Sequence, residues 1–343
     1  MSSHKLHEIV SPQRRRVLQM LGGSGLAATG VLGAPSVRAQ GAPKKIRLAH
    51  PAPIAHGWQI WAEQFKKVVE QESGGKLTVQ IFPNAQMGNE RDTAQAVRVG
   101  SIEMGAIGVG VMNWVPEMSI TDAPFLWKSR QQCWNAINGA FGDDLRKRCL
   151  DKGFVLTGWT DLGFRSMTNN KHPINSAKDM QNLKMRVPNS KAYIQMMQAM
   201  GAATVAVDLS ELYLALRQGV ADGQDTPPSV VKSNKYYEVQ KYASKTDHIL
   251  TTAYTVTNPK FYDALAADEK KAFTSACANA NEFLRAYTVK DESEAYEFLK
   301  TQGMQVNLTP DVESFRVACA SVIDKNPDLF VPELVKSARA TPA

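Results

Sequence analysis

From Asp268 to Gln302 the chain runs without a single proline or glycine, and Gly303 then closes the run. Asp268 is an N-cap candidate and Gly303 a helix stop. At 1.5 Å per residue, about 34 residues would reach roughly 50 Å. A helix longer than a small domain is wide has to connect or brace more than one body. Two shorter helices broken near the polar "KDES" (Lys290 to Ser293) are the other reading of the same stretch. A length of 343 residues also favours two domains over one core.

The rest of the chain alternates between strand and helix patterns. "KIRLAH" (Lys45 to His50) and "KLTVQIF" (Lys76 to Phe82) place apolar residues at period two. Between them Trp58, Trp61, Phe65, Val68 and Val69 recur at helical spacing, ended by "SGGK" (Ser73 to Lys76). A helix about Glu90 to Val99 leads into "IEMGAIGVG" (Ile102 to Gly110). This order predicts an α/β domain with a mainly parallel sheet. A second series begins near Gly163. "FRSMTNN", "LKMRVP", "ATVAV" and "ADGQD" read as strands, and Ser190 to Met200 and Ser210 to Gly219 as helices. The chain is therefore expected to form two α/β lobes.

The first 39 residues read as an export address. "QRRRVLQ" (Gln13 to Gln19) is followed by an uncharged, glycine-rich stretch and by "VRA" before Gln40, the three parts of a secretory signal peptide. Paired arginines before Val17 and Leu18 resemble the twin-arginine signal, with Val in place of the usual Phe. No later stretch approaches the ~20 apolar residues of a membrane helix, so the mature protein is expected to be soluble, exported and not membrane-embedded. The first 39 residues hold five of the 40 Lys/Arg and one of the 33 Asp/Glu, leaving 35 basic and 32 acidic residues. The apparent basicity is thus largely the signal, and no basic run points to nucleic acid. Cys133, Cys149, Cys277 and Cys319 lie far apart without metal-ligand spacing; disulfides and buried free thiols both remain open.

Catalytic and cofactor motifs are missing. There is no Walker loop, H-E-x-x-H, G-x-S-x-G or G-x-G-x-x-G, and "GVG" (Gly108 to Gly110) is too short to count. The expectation is no enzyme, cofactor or metal, but a binding protein whose lobes close on a solute. In "NLKMRVPNS" (Asn182 to Ser190), Leu183, Met185 and Val187 share one strand face, and Lys184 and Arg186 the other.

The runs "GFRSMTNNKHPINSAKDMQNLKMRVPNS" (Gly163 to Ser190), "MGAATVAVDLSELYLALRQGVADGQDTP" (Met200 to Pro227) and "YYEVQKYASKTDHILT" (Tyr236 to Thr251) resemble the DctP-type substrate-binding proteins of TRAP transporters. "ESGGKLTVQIFPNAQMG" and "DAPFLW" fit the same pattern. The resemblance implies a periplasmic receptor that delivers an organic acid to small and large membrane permease subunits. It also implies the two-lobed periplasmic binding protein fold, with discontinuous lobes, a cleft between them and a long bracing helix. On that basis residues 40–163 with 252–291 form one lobe, and 164–251 with 292–343 the other.

Arg186 stands at the position of the family's carboxylate-binding arginine, whose planar fork donates two parallel hydrogen bonds. Arg165 matches a second pocket arginine, with a structural salt bridge as its alternative. Thr226 stands where many relatives have Asn, Leu209 where several have Phe, and Gly108 where some have an acidic side chain. These departures argue for a pocket unlike the sialic-acid type. His56 and Trp58 open the first helix, where Trp58 would suit stacking on a ligand ring or else pack in the core. Asp161 would accept hydroxyl protons from a polyol, or serve a hinge. A structural role is expected for His248. The ligand expected is a small monocarboxylate, with a sugar acid (uronate or aldonate) favoured by Asp161 and Thr226. A sensory binding protein would share fold and pocket, and a periplasmic enzyme on organic acids is the more distant alternative.

Overall fold

The computed structural model describes residues 42–343; the expected signal peptide and its twin arginines lie outside the described residues. Eleven strands are described: β1 (Lys44–Ala49), β2 (Leu77–Phe82), β3 (Met104–Ile107), β4 (Val155–Phe164), β5 (Ser166–Asn169), β6 (Lys184–Val187), β7 (Ala203–Ala206), β8 (Gly223–Thr226), β9 (Tyr242–Ser244), β10 (Leu250–Thr257) and β11 (Gln305–Asn307). The helices are α1 (Gly57–Glu72), α2 (Glu90–Val99), α3 (Arg130–Ile137), α4 (Ala140–Asp151), α5 (Lys191–Ala199), α6 (Leu212–Arg217), α7 (Pro228–Ser233), α8 (Pro259–Asp263), α9 (Ala267–Thr301), α10 (Val312–Cys319) and α11 (Pro332–Ala340).

These strands form two sheets, in the orders β2-β1-β3-β10-β4 and β11-β9-β5-β8-β6-β7. The fold is the expected two-lobed α/β architecture. Neither sheet is wholly parallel. In the first, β10 runs antiparallel to both β3 and β4; in the second, β5 runs antiparallel to both β8 and β9. The reason lies in connectivity. Strand β4 continues after one residue, Arg165, into β5 of the other sheet, and β10 returns to the first sheet five residues after β9. Each crossing strand enters against the direction of its new neighbours. The two crossings touch at Arg165, whose backbone N–H donates to the Ile249 carbonyl at 2.9 Å.

Local signals explain the elements that approach this junction. Helix α1 buries Trp58, Trp61, Phe65 and Val69 and ends at Ser73, followed by Gly74 and Gly75 at φ +59° and +78°. Helix α2 opens on an Asn89–Asp92 capping box and ends at left-handed Gly100. Helix α9 runs unbroken for 35 residues through Lys290 to Ser293, so it is one helix rather than two. Its cap differs from the sequence expectation. Ala266 is the N-cap, its N–H donating to Glu269 Oε2 at 2.8 Å, while Asp268 pairs with Lys76 at 2.5 Å.

Along α9, Phe273, Ala276, Cys277, Ala280 and Leu284 pack into the first lobe with Phe65 of α1. Trp61 Nε1 donates to Asn281 Oδ1 at 2.8 Å. Farther along, Tyr296 pairs with Ser166 of β5, and Leu299 joins the second-lobe cluster of Leu212, Leu216 and Val231. One helix thus braces both sheets. The last helix, α11, turns back toward α3: Gln132 Nε2 donates to the Thr341 carbonyl at 3.0 Å.

All four cysteines are buried free thiols, which closes the disulfide alternative. Burial pushes the Cys149 and Cys319 thiols up to about 12. Among the described residues no helix is long and apolar enough to cross a membrane.

Candidate functional site

A small cavity of ≈ 50 Å³ lies between the two sheets. His56, Trp58, Gly108, Arg165, Arg186, Leu209 and Thr226 all border it. Asp161, the eighth sequence candidate, does not.

Arg186 comes from β6. It lies on the strand face opposite Met185 and Val187, yet only 2 % of the residue is exposed. Its Nε donates to the Val207 carbonyl at 2.7 Å, and its terminal nitrogens have no hydrogen-bond partner among the described residues. Burial lowers its pKa from the ordinary arginine value. A guanidinium remains charged under such a shift, so a buried cation with two unengaged amino groups faces the cavity.

Arg165 is differently placed. It sits at the β4–β5 crossing, where Nε donates to Asp225 Oδ2 at 2.8 Å and Nη2 to the Asp225 carbonyl. Its guanidinium lies 4.7 Å from the centre of the Tyr193 ring. Burial acts to lower its pKa, but the Asp225 carboxylate outweighs this and holds it above the ordinary value. Asp225 also faces His248 Nε2 at 3.2 Å, and His248 Nδ1 pairs with Thr246 Oγ1 at 2.8 Å. Arg165 therefore borders the cavity and is salt-bridged at once, and His248 is part of the frame behind it.

Asp161 is turned away by a bulge. On β4, Gly163 pairs with Thr251 and Asp161 with Thr252, which leaves Leu162 without a partner. Leu162 borders the cavity in its place. Asp161 accepts from Trp134 Nε1 at 3.0 Å and from the Gly163 N–H at 3.1 Å, and it pairs with Arg130 at 3.3 Å. Burial pushes its pKa up to about 6 against the pull of Arg130. Arg130 also pairs with Glu292 of α9, which accepts from the Phe164 N–H at 2.9 Å. Asp161 is thus held among Trp134, Arg130 and the Gly163 N–H beside the β4–β5 crossing, and it does not border the cavity.

Sequence reasoning missed Glu90, Asp122, Tyr193 and Thr252, all on the cavity wall. Glu90 opens α2, and its Oε2 accepts from the N–H groups of Gly108 and Gly110 at 2.8 and 3.0 Å. The dismissed "GVG" is thus a carboxylate seat. A Cβ at Gly110 would fall 2.6 Å from the Glu90 carbonyl, so only glycine fits there. Asp122 accepts from Tyr193 OH at 2.8 Å and from Thr252 Oγ1 at 3.0 Å. Burial raises the pKa of both acids, opposed by these donors. The available signals were an acid in a helix's first turn and one in "DAPFLW", neither distinguishable from ordinary structural acids.

His56 is the N-cap of α1, and its Nδ1 accepts from the Trp58 N–H at 3.1 Å. Burial lowers its pKa to about 3, which keeps the ring neutral as an acceptor must be. Thr226 Oγ1 and Trp58 Nε1 are buried without partners among the described residues. Among the described residues no group of three or more His, Cys, Asp or Glu side chains could hold a metal ion.

A two-lobed α/β molecule with an unpaired arginine buried between its sheets is of the solute-binding class. The chain belongs to the family described as bacterial extracellular solute-binding protein, family 7 (DctP), whose sequence model matches residues 48–327. A solute-binding protein of Verminephrobacter eiseniae is 34 % identical over 261 residues, covering 76 % of this chain and 78 % of that one. Among solved structures, a TRAP periplasmic solute-binding protein from Polaromonas bound to D-erythronate is 32 % identical, with a TM-score of 0.84 over 88 % of this chain and 99 % of the other. A Bordetella counterpart, with density assigned to pantoate, is 30 % identical with the same TM-score, over 88 % and 100 % of the two chains.

Proposed function

We propose that this protein is the extracytoplasmic receptor of a TRAP transporter for a short hydroxylated monocarboxylate. The observation that carries the reading is Arg186, buried on β6 with its terminal nitrogens unengaged. A buried cation needs a counter-charge, and a ligand carboxylate supplies one in a geometry that a guanidinium matches. The rest of the wall favours hydroxyls and disfavours a second carboxylate. Glu90 and Asp122 are acceptors, and a dianion would bring another negative charge close to them. D-Erythronate, bound by one relative, and pantoate, assigned to density in another, are both short hydroxylated monocarboxylates, which supports an aldonate-like ligand over a uronate.

In this reading residues 40–163 with 252–291 and residues 164–251 with 292–343 are the two lobes, with α11 closing back onto the first. Export runs by the twin-arginine route, and the closed receptor hands its ligand to small and large membrane subunits. The family is one of binding proteins, and no turnover is invoked.

A calorimetric and thermal-shift panel of D-erythronate, pantoate, D-glucuronate and succinate tests the assignment. At least one monocarboxylate should stabilise the protein. Arg186→Lys should leave the fold intact and weaken acid binding at least tenfold, because the ammonium cannot reproduce the fork. No stabilisation by any acid, or undiminished binding in Arg186→Ala, would falsify the reading.

A further inference from the structure

We infer that the Trp58 indole decides which acids the cavity accepts, closing it against longer chains with its ring and reading a ligand hydroxyl with its Nε1–H. This rests on the proposed acid-binding role and deepens it. Trp58 is the second residue of α1 and is 4 % exposed. It borders the cavity, yet its Nε1 has no hydrogen-bond partner among the described residues. A buried indole N–H without an acceptor is costly, and such donors are usually matched. A ligand oxygen that reached Nε1 from the cavity would supply the missing partner.

Two neighbours border the ring. The His56 ring centre lies 4.7 Å from that of Trp58, and His56 Nδ1 holds the Trp58 backbone N–H. On another side is Gly108, where an added Cβ would lie 3.6 Å from Trp58 Cζ2 and 3.4 Å from Glu90 Oε2. A single methyl would just fit, whereas a longer side chain would need the space that the indole and the Glu90 carboxylate occupy. Gly108 thus trades a side chain of its own for the ring of Trp58. At Gly57, a Cβ would meet Leu162 Cδ2 at 2.7 Å, so the first turn of α1 is pressed against the bulged residue of β4. The indole is a rigid wall, backed by glycine on one side and anchored by a neutral histidine at its root. On the wall supplied by the second sheet, Thr226 Oγ1 is likewise buried without a partner. Trp58 and Thr226 together offer a ligand hydroxyl one obligatory donor and one group able to donate or accept.

The test compares the four-carbon D-erythronate with the six-carbon D-gluconate by calorimetry on the wild type, Trp58→Phe and Trp58→Ala. The wild type should prefer D-erythronate. Trp58→Phe keeps a ring but removes the donor, and should weaken D-erythronate binding about tenfold. Trp58→Ala opens the wall, and should move the erythronate-to-gluconate preference at least tenfold toward gluconate. Unchanged D-erythronate affinity in Trp58→Phe overturns the hydroxyl contact, and an unchanged preference in folded Trp58→Ala overturns the wall. Should Trp58→Ala not fold, Trp58→Leu carries the same comparison. A wild type that prefers gluconate also overturns the inference. A wild type that binds neither acid, nor any other in the panel above, defeats the underlying acid-binding reading instead, before any variant is made.

Discussion

Two arginines twenty-one residues apart border one cavity, but their surroundings give them different tasks. Arg165 has its counter-charge built in, because the pairing of Met167 with Asp225 between β5 and β8 brings that carboxylate beside the crossing. Arg186 has none of its own at hydrogen-bond distance. Asp225→Asn should therefore leave Arg165 buried without its partner and lower stability by about 3–5 kcal/mol. Urea unfolding measures this directly, and an unshifted midpoint would show the pair to be dispensable. Residue type and family position singled out both arginines from sequence. The difference between them could not be read there, since Asp225 lies sixty residues from Arg165 and its register belongs to the sheet.

Among the elements, α9 carries the largest structural burden. Its first half packs on α1 and its last turns on the second-lobe cluster, so a break between them would separate the two anchorages. Ser293 is exposed in the middle of this span. Ser293→Pro removes a helical N–H and clashes with the preceding turn, and should cost about 3 kcal/mol or more, whereas Ser293→Ala should be close to neutral. Equal unfolding midpoints for the two variants would mean that the helix is not continuous in solution. The helix was legible because the lack of proline and glycine is a local property. Its true start was less so, because Lys76 draws Asp268 outward and leaves Glu269 to complete the cap.

For the molecule as a whole, the strand that crosses between the sheets carries a buried acid that should make stability depend on pH. Asp161 is raised to about 6 from an ordinary value of 3.8, by burial opposed by Arg130. The folded protein thus holds this proton more tightly than the unfolded chain. The associated stability is fully present below pH ~4 and is lost as pH rises through about 6, by on the order of 3 kcal/mol. Asp225 works in the opposite sense. Burial raises its pKa, Arg165 and His248 more than reverse this, and its contribution is lost only as pH falls below the usual carboxylate range. Denaturant unfolding of wild type and Asp161→Asn at pH 4.5 and 7 separates the two. The variant should lose much less stability between these values, and parallel losses would contradict the assignment.

The two α/β series, the long helix and the arginine on β6 could be read along the chain, because periodicity, glycine and proline placement and residue chemistry act over a few neighbouring positions. Which polar groups meet is settled only in the folded molecule. The bulge at Leu162 turns Asp161 from the cavity toward Trp134 and Arg130, and the loop after β3 lifts two glycine N–H groups onto Glu90. The packing of Trp58 into the space left by Gly108 likewise joins residues fifty apart. These outcomes depend on sheet register and on close approach between distant segments, and neither leaves a local pattern in the chain.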